Sequence, residues 1–437
     1  MSLKPVKIGI CGLGTVGAGT FNVLSRNAQS IAARAQTALQ VIHVGARRDN
    51  PDCAMGDTRV SRDIFDVARD PEVDILVELI GGTTVARELT EEAIRNGKHV
   101  VTANKALIAE FGNEIFALAD EHGVAVRFEA AVAGGIPIIK ALREGLAGNR
   151  IEWLAGIING TGNFILSEMR DKGRDFADVL AEAQSLGYAE ADPTFDVEGI
   201  DAAHKLVILA SLAFGMPLQF SSVYTEGITR LTTQDVDYAE ELGYRIKHLG
   251  VAKQNGDGVE LRVHPTLIPE QRLLANVNGV KNALLVEGDA VGPTLYYGAG
   301  AGAEPTASAV IADLVDLARD LAAGQSNRVA ALGFAREQLR DLPIVPMAQV
   351  VTPWYLRMEA EDKPGVLSAV ASLFSEQGIS IEALIQKAPA AGETRVPVIV
   401  LTNKAAQGSV DAAVQAIEAL DSITGEITRI RVEALDG

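Results

Sequence analysis

The sequence predicts an α/β protein in which a doubly wound parallel sheet is followed by an α+β segment and then by a ferredoxin-like unit. Three observations lead to this prediction. Short apolar runs alternate with helix-length segments from Val6 to Phe128, short β-rich pieces follow in the middle, and the sequence after Pro353 reads strand, helix, strand, strand, helix, strand. A chain of 437 residues also exceeds one hydrophobic core, so two to three domains are expected.

Composition excludes several classes of protein. The net charge of −18 argues against nucleic acid or an anionic membrane surface as a partner. No apolar run reaches the roughly 18 residues that a membrane span needs, and the first predicted strand starts too early to leave room for a signal peptide. Cys11 and Cys53 offer no disulfide framework and are expected to be reduced thiols. We therefore expect a cytoplasmic protein.

The first predicted strand, 6–11, runs directly into a glycine-rich turn and a helix. The turn reads G-x-G-x-x-G and consists of Gly12, Leu13, Gly14, Thr15, Val16 and Gly17. The first glycine allows the tight turn, the second lets the backbone approach a pyrophosphate, and the third permits close helix–strand packing. The helix, with apolar positions as far as Ile31, would present its N-terminus to the phosphates. This pattern predicts a Rossmann-type NAD(P) site.

The second predicted strand, 39–44, bears on which nucleotide binds. It ends in Gly45-Ala46-Arg47-Arg48 rather than in an acidic residue. An acidic residue there would bind the ribose 2′-hydroxyl, whereas an arginine accommodates a 2′-phosphate. Arg47 therefore favours NADP, or tolerance of both NADP and NAD, although a solvated loop charge is the alternative.

Three further strands, 73–80, 98–102 and 124–128, alternate with helices at 86–96 and 105–122. Ligands of such sheets lie beyond the carboxyl ends of the strands, where Thr83, Lys105 and Glu129 fall. Lys105 is a candidate site residue, with a solvent-facing lysine as the alternative. Glu129, followed by the small residues 130–135, could hold a hard cation with nearby carbonyl groups.

The middle of the chain changes character. A helix is predicted to end near residue 148, and a strand at 151–158 leads through the polar turn 159–163 into another helix. Helices at 175–185 and 200–214, β pieces at 259–264 and 283–287, a glycine loop at 297–302 and a helix reaching about 322 complete this segment. It offers a face for dimerisation.

The stretch 187–205 gathers several carboxylates and a lysine around a proline-containing turn. Asp201 and Lys205 are four residues apart, so they share one face of a helix. The helix that follows, 205–214, is too apolar for the surface, and burial favours the neutral form of a lysine. Lys205 is thus a candidate acid or base. A solvated loop with an exposed ion pair is the alternative.

The last part begins after a connector whose breaks are marked by Pro343, Pro346 and Pro353. Strands are predicted at 354–360, 379–386, 394–401 and 427–432, with helices at about 366–376 and 409–420. The turn Asp362-Lys363-Pro364-Gly365-Val366-Leu367 resembles that of ACT regulatory domains, which commonly pair their sheets and bind an amino acid.

A longer motif now identifies a resemblance that covers the whole chain. The run A-x-x-x-G-Y-A-x-x-D-P-x-x-D-V-x-G-x-D-x-x-x-K from Ala183 to Lys205 is similar to the homoserine dehydrogenase motif at every defined position. Ala103-Asn104-Lys105, Asn159-Gly160-Thr161 and the glycine loop before Pro305 also fit that family. The resemblance implies reversible interconversion of L-homoserine and L-aspartate 4-semialdehyde with NADP or NAD, in threonine, methionine and isoleucine biosynthesis.

The same resemblance implies roles for individual residues. Lys205, with Lys105, would handle the proton of the substrate hydroxyl, and Asp201 would orient that hydroxyl or Lys205. Glu190 and Asp196 would hold the substrate ammonium group, and Thr83, Lys105 and Gly302 would contact the nucleotide. A sodium ion would lie among Glu129 and the backbone carbonyls of Val132, Gly134 and Ile136.

The resemblance also implies an organisation and a regulator. A nucleotide domain, 1–135, would be completed by about 303–325, followed by a catalytic and dimerisation domain at 136–302, a linker at 326–352 and an ACT domain at 353–437. Threonine is the expected effector, and a homodimer or homotetramer is the expected assembly.

Two other interpretations remain open from the sequence. One is another Rossmann oxidoreductase for a small amino or hydroxy acid, which does not require the full 183–205 motif. The other is a non-enzymatic sensor of nucleotide and amino acid, in which Lys205 would be dispensable.

Overall fold

The computed structural model describes residues 4–325, 327–387 and 394–436. The chain divides into two compact units. The first unit comprises the described parts of 1–160, 201–223 and 280–342, and the second those of 161–200, 224–279 and 343–437. Within the described ranges, no helix combines the length and the apolar character needed to cross a membrane.

The strands are distributed along the described chain, and helices separate most of those in its first 127 residues. The strands are β1 (Val6–Cys11), β2 (Leu39–Gly45), β3 (Arg59–Ser61), β4 (Ile75–Glu78), β5 (His99–Thr102), β6 (Val126–Arg127), β7 (Ile151–Ile157), β8 (Tyr224–Thr225), β9 (Tyr244–Asn255), β10 (Gly258–Pro269), β11 (Lys281–Gly288), β12 (Gly292–Ala299), β13 (Val351–Thr352), β14 (Trp354–Glu361), β15 (Ile381–Gln386), β16 (Arg395–Thr402), β17 (Ala405–Ala406) and β18 (Ile423–Val432).

The helices are α1 (Thr15–Arg26), α2 (Ala28–Ala35), α3 (Phe65–Arg69), α4 (Thr84–Arg95), α5 (Lys105–Glu121), α6 (Ile138–Lys140), α7 (Gly160–Lys172), α8 (Phe176–Ser185), α9 (Thr194–Val197), α10 (Ile200–Phe214), α11 (Thr233–Glu241), α12 (Ala303–Ala322), α13 (Val366–Glu376) and α14 (Gln407–Glu418). A π-helical turn, Ala141–Gly145, follows α6 directly.

The first unit is built on a six-stranded parallel sheet with the order β3-β2-β1-β4-β5-β6. β1 pairs with both β2 and β4, so the strand order reverses there. Every residue of β4 and β5 is buried, as a parallel sheet covered by helices requires. The predicted doubly wound fold is confirmed, and its crevice lies beyond the carboxyl ends of β1 and β4.

Helix α12 packs against α1 although the two helices lie far apart in the sequence. A Cβ atom added to Gly19 of α1 would lie 2.6 Å from the Ala303 carbonyl oxygen at the start of α12. The two helices share a buried core with β1 and β2, which includes Ile8, Ile10, Phe21, Leu24, Val44, Val310 and Leu314. Burial of this apolar surface holds α12 on the nucleotide-binding sheet.

Two more elements of the first unit bear on function. β11 pairs antiparallel with β7 on one side and with β12 on the other. Helix α10 is buried at every position from Asp201 to Phe214. This helix therefore brings the ionisable side chains of its first turns into an apolar interior.

The second unit combines a long hairpin with the predicted ferredoxin-like domain. β9 and β10 pair antiparallel over their whole lengths. β14, α13, β15, β16, α14 and β18 form the β-α-β-β-α-β unit, whose sheet has the order β18-β14-β16-β15. β10 pairs in parallel with β18, so the hairpin and the ferredoxin-like sheet are continuous.

Several local predictions were wrong. The helix expected to run through Ile31 is interrupted at Asn27, where the backbone leaves the helical region. The helix expected to reach residue 148 is a single α turn followed by the π-helical turn. Residues 160–163 open α7 rather than forming a turn, and residues 297–299 belong to β12 because their backbone pairs with β11. For residues 297–299, strand pairing outweighs the local preference of glycine for a loop.

Candidate active site

The glycine-rich turn after β1 has the geometry that a dinucleotide needs. Gly12 has φ +100°, and an added Cβ would lie 2.6 Å from the Leu79 carbonyl oxygen. A Cβ on Gly17 would lie 1.9 Å from the Gly12 carbonyl oxygen, whereas one on Gly14 would meet no atom within 4 Å. Internal packing therefore explains the first and third glycines. The second faces open space, as expected where a pyrophosphate approaches the backbone.

The N-terminus of α1 supplies hydrogen-bond donors to that space. No side chain caps α1 at Gly14. The first turn of this helix, which includes Thr15 and Val16, contains no acidic residue. The Leu13 carbonyl accepts a hydrogen bond from the Asn50 side chain at 2.9 Å, which fixes the turn. The amide groups and the helix dipole together suit an anion, so the residues present fit a nucleotide pyrophosphate.

The other predicted cofactor residues also lie in the first unit. Arg47 is exposed just after β2, and Thr83 immediately precedes α4. Gly302 immediately precedes α12, whose first residue packs against α1. All three positions follow strands or precede helices, which is where residues of this fold approach a ligand.

A buried network that was not predicted from the sequence joins the ends of β4 and β5. The Glu78 carboxylate accepts hydrogen bonds from the amides of Ile80 and Gly81 at 2.8 and 3.1 Å and from the Thr102 hydroxyl at 2.6 Å. The Asn104 side chain donates to the Gly82 carbonyl at 2.6 Å. The network fixes the loop before Thr83. The signal in the sequence that could have identified this network is Glu78, a carboxylate at the end of an apolar strand.

Asp201 gathers the predicted catalytic residues into one cluster. Its carboxylate lies 2.7 Å from the Lys205 ammonium group and 3.1 Å from that of Lys105. It also accepts a hydrogen bond from the Asn159 side chain at 2.8 Å. The Lys205 ammonium group donates in addition to the Ile158 carbonyl at 2.7 Å. Asn159, at the end of β7, was recognised only as part of a motif.

The charges of this cluster determine its chemistry. Burial by itself raises the pKa of Asp201, but the ammonium groups of Lys205 and Lys105 outweigh it and hold the pKa well below its usual range. Asp201 is therefore anionic at neutral pH. Two ammonium groups around one carboxylate leave a net positive charge, which suits an oxygen atom that becomes negative during a reaction.

Local sequence explains why the three side chains are held in place. Lys105 is the first residue of α5, whose N-terminus is capped by the Asn104 side chain accepting from the Leu107 amide at 3.1 Å. Asp201 lies in the first turn of α10, where an anion is favoured, and Lys205 follows one turn later. The ion pair with Asp201 offsets the unfavourable placement of a cation at the start of α5.

The two residues predicted to hold the substrate ammonium group belong to the second unit. Asp196 is half-buried in the one-turn helix α9, and Glu190 is exposed in the loop before it. The Asp192 carboxylate accepts from the Thr194 amide at 3.1 Å and so fixes the start of α9.

Glu129 is a buried carboxylate at the end of the parallel sheet. Its oxygens accept the amides of Ile139 and Lys140 at 2.9 and 2.8 Å. Burial, reinforced by the nearby Asp313, raises the pKa of Glu129 to about 7. A cation would offset the cost of burying this charge, and the predicted ligands, which are all oxygen atoms, suit a hard cation.

Comparisons with known proteins agree with this geometry. Residues 12–129 match the family model for the NAD-binding domain of homoserine dehydrogenase, and residues 137–315 match the homoserine dehydrogenase model. Residues 354–421 match the ACT domain. Together the matched ranges cover most of the chain.

Individual homoserine dehydrogenases are similar to this chain over most or all of its length. Homoserine dehydrogenase from Pseudomonas aeruginosa is 64% identical, with 99% of this chain and 100% of the relative aligned. The crystal structure of a homoserine dehydrogenase from Thiobacillus denitrificans has a TM-score of 0.94 at 60% identity and covers 100% of both chains. A hyperthermophilic archaeal homoserine dehydrogenase in complex with NADPH has a TM-score of 0.61 at 27% identity, covering 77% of this chain and 100% of the other. The chain therefore belongs to the homoserine dehydrogenase family of oxidoreductases.

Proposed function

We propose that the chain catalyses the reversible, NAD(P)-dependent interconversion of L-homoserine and L-aspartate 4-semialdehyde, on the route to threonine, methionine and isoleucine. The cluster of Asp201, Lys205 and Lys105 is the observation that carries this proposal. Oxidation of an alcohol must remove one proton and one hydride. The cluster offers groups for the proton, and the turn after β1 offers a site for a nicotinamide nucleotide.

The proton is the part of the reaction that these side chains perform. In the reducing direction, an ammonium group donates a proton to the oxygen of the aldehyde as negative charge develops there. In the oxidising direction, the neutral amine accepts the proton of the hydroxyl. A nicotinamide nucleotide held at the glycine-rich turn after β1 would supply the hydride chemistry. Lys205 and Lys105 both contact Asp201, and either can be the proton-transfer group.

Asp201 acts by orienting the ammonium groups of both lysines. Its two oxygens bond different partners, since Lys205 and Asn159 contact Oδ2 and Lys105 contacts Oδ1. This arrangement fixes the direction of both ammonium groups. Asp196 and Glu190 supply the carboxylates that a substrate ammonium group requires.

Cofactor choice follows from the end of β2. Arg47 is exposed and lies beyond the strand that carries the ribose-binding residue in this fold. We assign it to the 2′-phosphate, so that NADP is preferred and NAD is accepted.

A sodium ion is proposed at Glu129 with the carbonyls of Val132, Gly134 and Ile136. The raised pKa of the Glu129 carboxyl supports the assignment, because a bound cation would favour its anionic form. Equal rates in sodium chloride and in choline chloride at matched ionic strength would argue against it.

The proposed regulator and assembly rest on the other domains. The ACT domain is proposed to bind threonine, and the domain boundaries expected above are retained as proposals.

A homodimer or homotetramer is supported by the exposed side chain of Tyr297 in β12, and light scattering will measure its mass. A cytoplasmic location is supported by the buried free thiols of Cys11 and Cys53, and cell fractionation tests it.

The first prediction concerns Lys205. The purified chain should reduce NADP when homoserine is added, and Lys205→Ala should lower kcat at least ~10²-fold, because a proton-transfer group is lost. Lys172→Ala, at an exposed lysine in α7, is the control and should keep the wild-type rate. If homoserine causes no reduction of NADP or NAD by the wild-type chain, the proposed function is wrong.

A second prediction concerns Arg47. Arg47→Ala should raise the KM for NADP about tenfold or more, because it removes a charge-assisted contact with the 2′-phosphate. The KM for NAD, which lacks that phosphate, should change less than twofold. Initial rates at saturating homoserine measure both constants. A parallel rise in the two values would contradict the assignment of Arg47.

A third prediction concerns the ACT domain. Gly365, in the turn before α13, has φ +95°, a conformation that side chains rarely adopt. Gly365→Ala should therefore distort this turn and raise the threonine concentration for half inhibition at least about tenfold, with kcat nearly unchanged. Glu376→Ala, at the exposed end of α13, is the matched control. Threonine inhibition that is identical in wild type and Gly365→Ala would place the effector elsewhere.

A further inference from the structure

Residues 224–229 connect the hairpin of the second unit to α9, the one-turn helix that carries Asp196. Tyr224 and Thr225 pair in parallel with Arg262 and Val263 of β10, and the Glu226 amide donates to the Val263 carbonyl at 2.8 Å. A few residues on, the Ile228 amide donates to the Val197 carbonyl at 2.9 Å. The 224–229 segment therefore lies between β10 and the end of α9.

The packing of the segment against residues 197–199 is close. A Cβ added to Gly227 would lie 2.3 Å from a carboxylate oxygen of Glu198, and the Thr229 hydroxyl donates to that carboxylate at 3.1 Å. A Cβ on Gly199 would lie 2.9 Å from a methyl carbon of Val263. The hydrogen bond from Ile228 to Val197 and these close approaches couple the segment to the backbone that follows Asp196.

His248 of β9 reinforces this connection. Its Nε2 atom lies 2.9 Å from the Glu226 carbonyl oxygen, and its ring would lie 3.2 Å from a Cβ on Gly199. Burial lowers the pKa of His248 to about 4, so the ring is neutral and donates this hydrogen bond. The His248 ring thus holds the backbone of Glu226 and lies beside Gly199, two residues after α9.

The side chain of Glu226 is held from the ACT domain. Arg431 of β18 is buried and lies 2.7 Å from the Glu226 carboxylate. The same guanidinium group donates to the Gln407 side chain of α14 at 2.7 Å and lies 4.7 Å from the ring of Trp354 in β14. The Tyr224 hydroxyl donates to Glu226 at 2.9 Å and completes the cluster. Arg431, in β18, therefore contacts two other elements of the ACT domain, α14 and β14, and the 224–229 segment at once.

We propose that Arg431 is a positioning residue that, through its ion pair with Glu226, lets the ACT domain set the position of α9, which carries Asp196, and thereby the affinity for the amino-acid substrate. The inference deepens the proposed function and rests on it, because Asp196 is assigned to the substrate ammonium group. Rearrangement at β14 or α14 changes the position of the Arg431 guanidinium. Glu226 follows because it is paired with that charge, and the contacts at Val197 and Gly199 transmit the change.

The test compares kinetic constants of Glu226→Gln and Arg431→Met with those of the wild type. Both variants remove the ion pair, so the KM for homoserine should rise about tenfold, a typical size for coupling between sites. The KM for NADP and kcat should each change less than about threefold, because the nucleotide residues and Lys205 belong to the first unit. A general structural defect would instead change all three constants and the far-ultraviolet circular dichroism.

Glu426→Gln is the matched control. Glu426 pairs with Arg230, so it also joins β18 to the chain just after the 224–229 segment, but both side chains are largely exposed. Exposed pairs of this kind contribute little, and the control should keep the wild-type KM. If Arg431→Met does not fold, Glu226→Gln and Tyr224→Phe decide the matter, because Glu226 and Tyr224 are only partly buried.

The outcomes separate this inference from the proposed function. A wild-type chain without homoserine-dependent activity overturns the proposed function and this inference with it. An active wild type whose KM for homoserine is unchanged in Glu226→Gln overturns this inference alone. A rise in the KM for homoserine that is equal in Glu226→Gln and Glu426→Gln also overturns it.

Discussion

The buried carboxylate of Asp201 is the constraint around which the candidate site is built. A single anion in an apolar interior is costly unless charged partners and hydrogen bonds compensate for lost hydration. Helix α10 is buried from its first turn, so Asp201 cannot turn to water. Lys205 from the same helix, Lys105 from α5 and Asn159 from the end of β7 therefore converge on it. The combined charge of the carboxylate and the two ammonium groups therefore depends on a fold that brings α10, α5 and the end of β7 together.

The nucleotide-binding sheet meets this requirement while providing the cofactor site. α5 starts directly after β5, at the same edge of the sheet as the glycine-rich turn after β1. Glu78 and Asn104 tie the ends of β4 and β5 together. One edge of a parallel sheet thus positions both a lysine for the proton and a helix N-terminus for the nucleotide phosphates.

Sequence patterns predicted the features that depend on local periodicity or short motifs. The turn at Gly12, the alternation of strands and helices, and the β-α-β-β-α-β order after Pro353 were of this kind. Spacing also placed Asp201 and Lys205 on one helix face. The contacts of Asn159 with Asp201, of Glu78 with Thr102 and of Arg431 with Glu226 were not predictable, because each partner lies far away in the chain. The pairing of β10 with β18 escaped prediction for the same reason.

The most direct test of the central claim is the pH profile of Asp201→Asn for homoserine oxidation. Without the carboxylate, the Lys205 ammonium group, which lies 2.7 Å from it in the wild type, loses its nearest anion and releases its proton more readily. The pH at which kcat/KM reaches half its maximum should fall by at least about one unit, and kcat should drop at least ~10²-fold. Asp66→Asn, at an exposed carboxylate of α3, should leave the profile unchanged. An Asp201→Asn profile that coincides with the wild type would show that Asp201 does not control the protonation of the site.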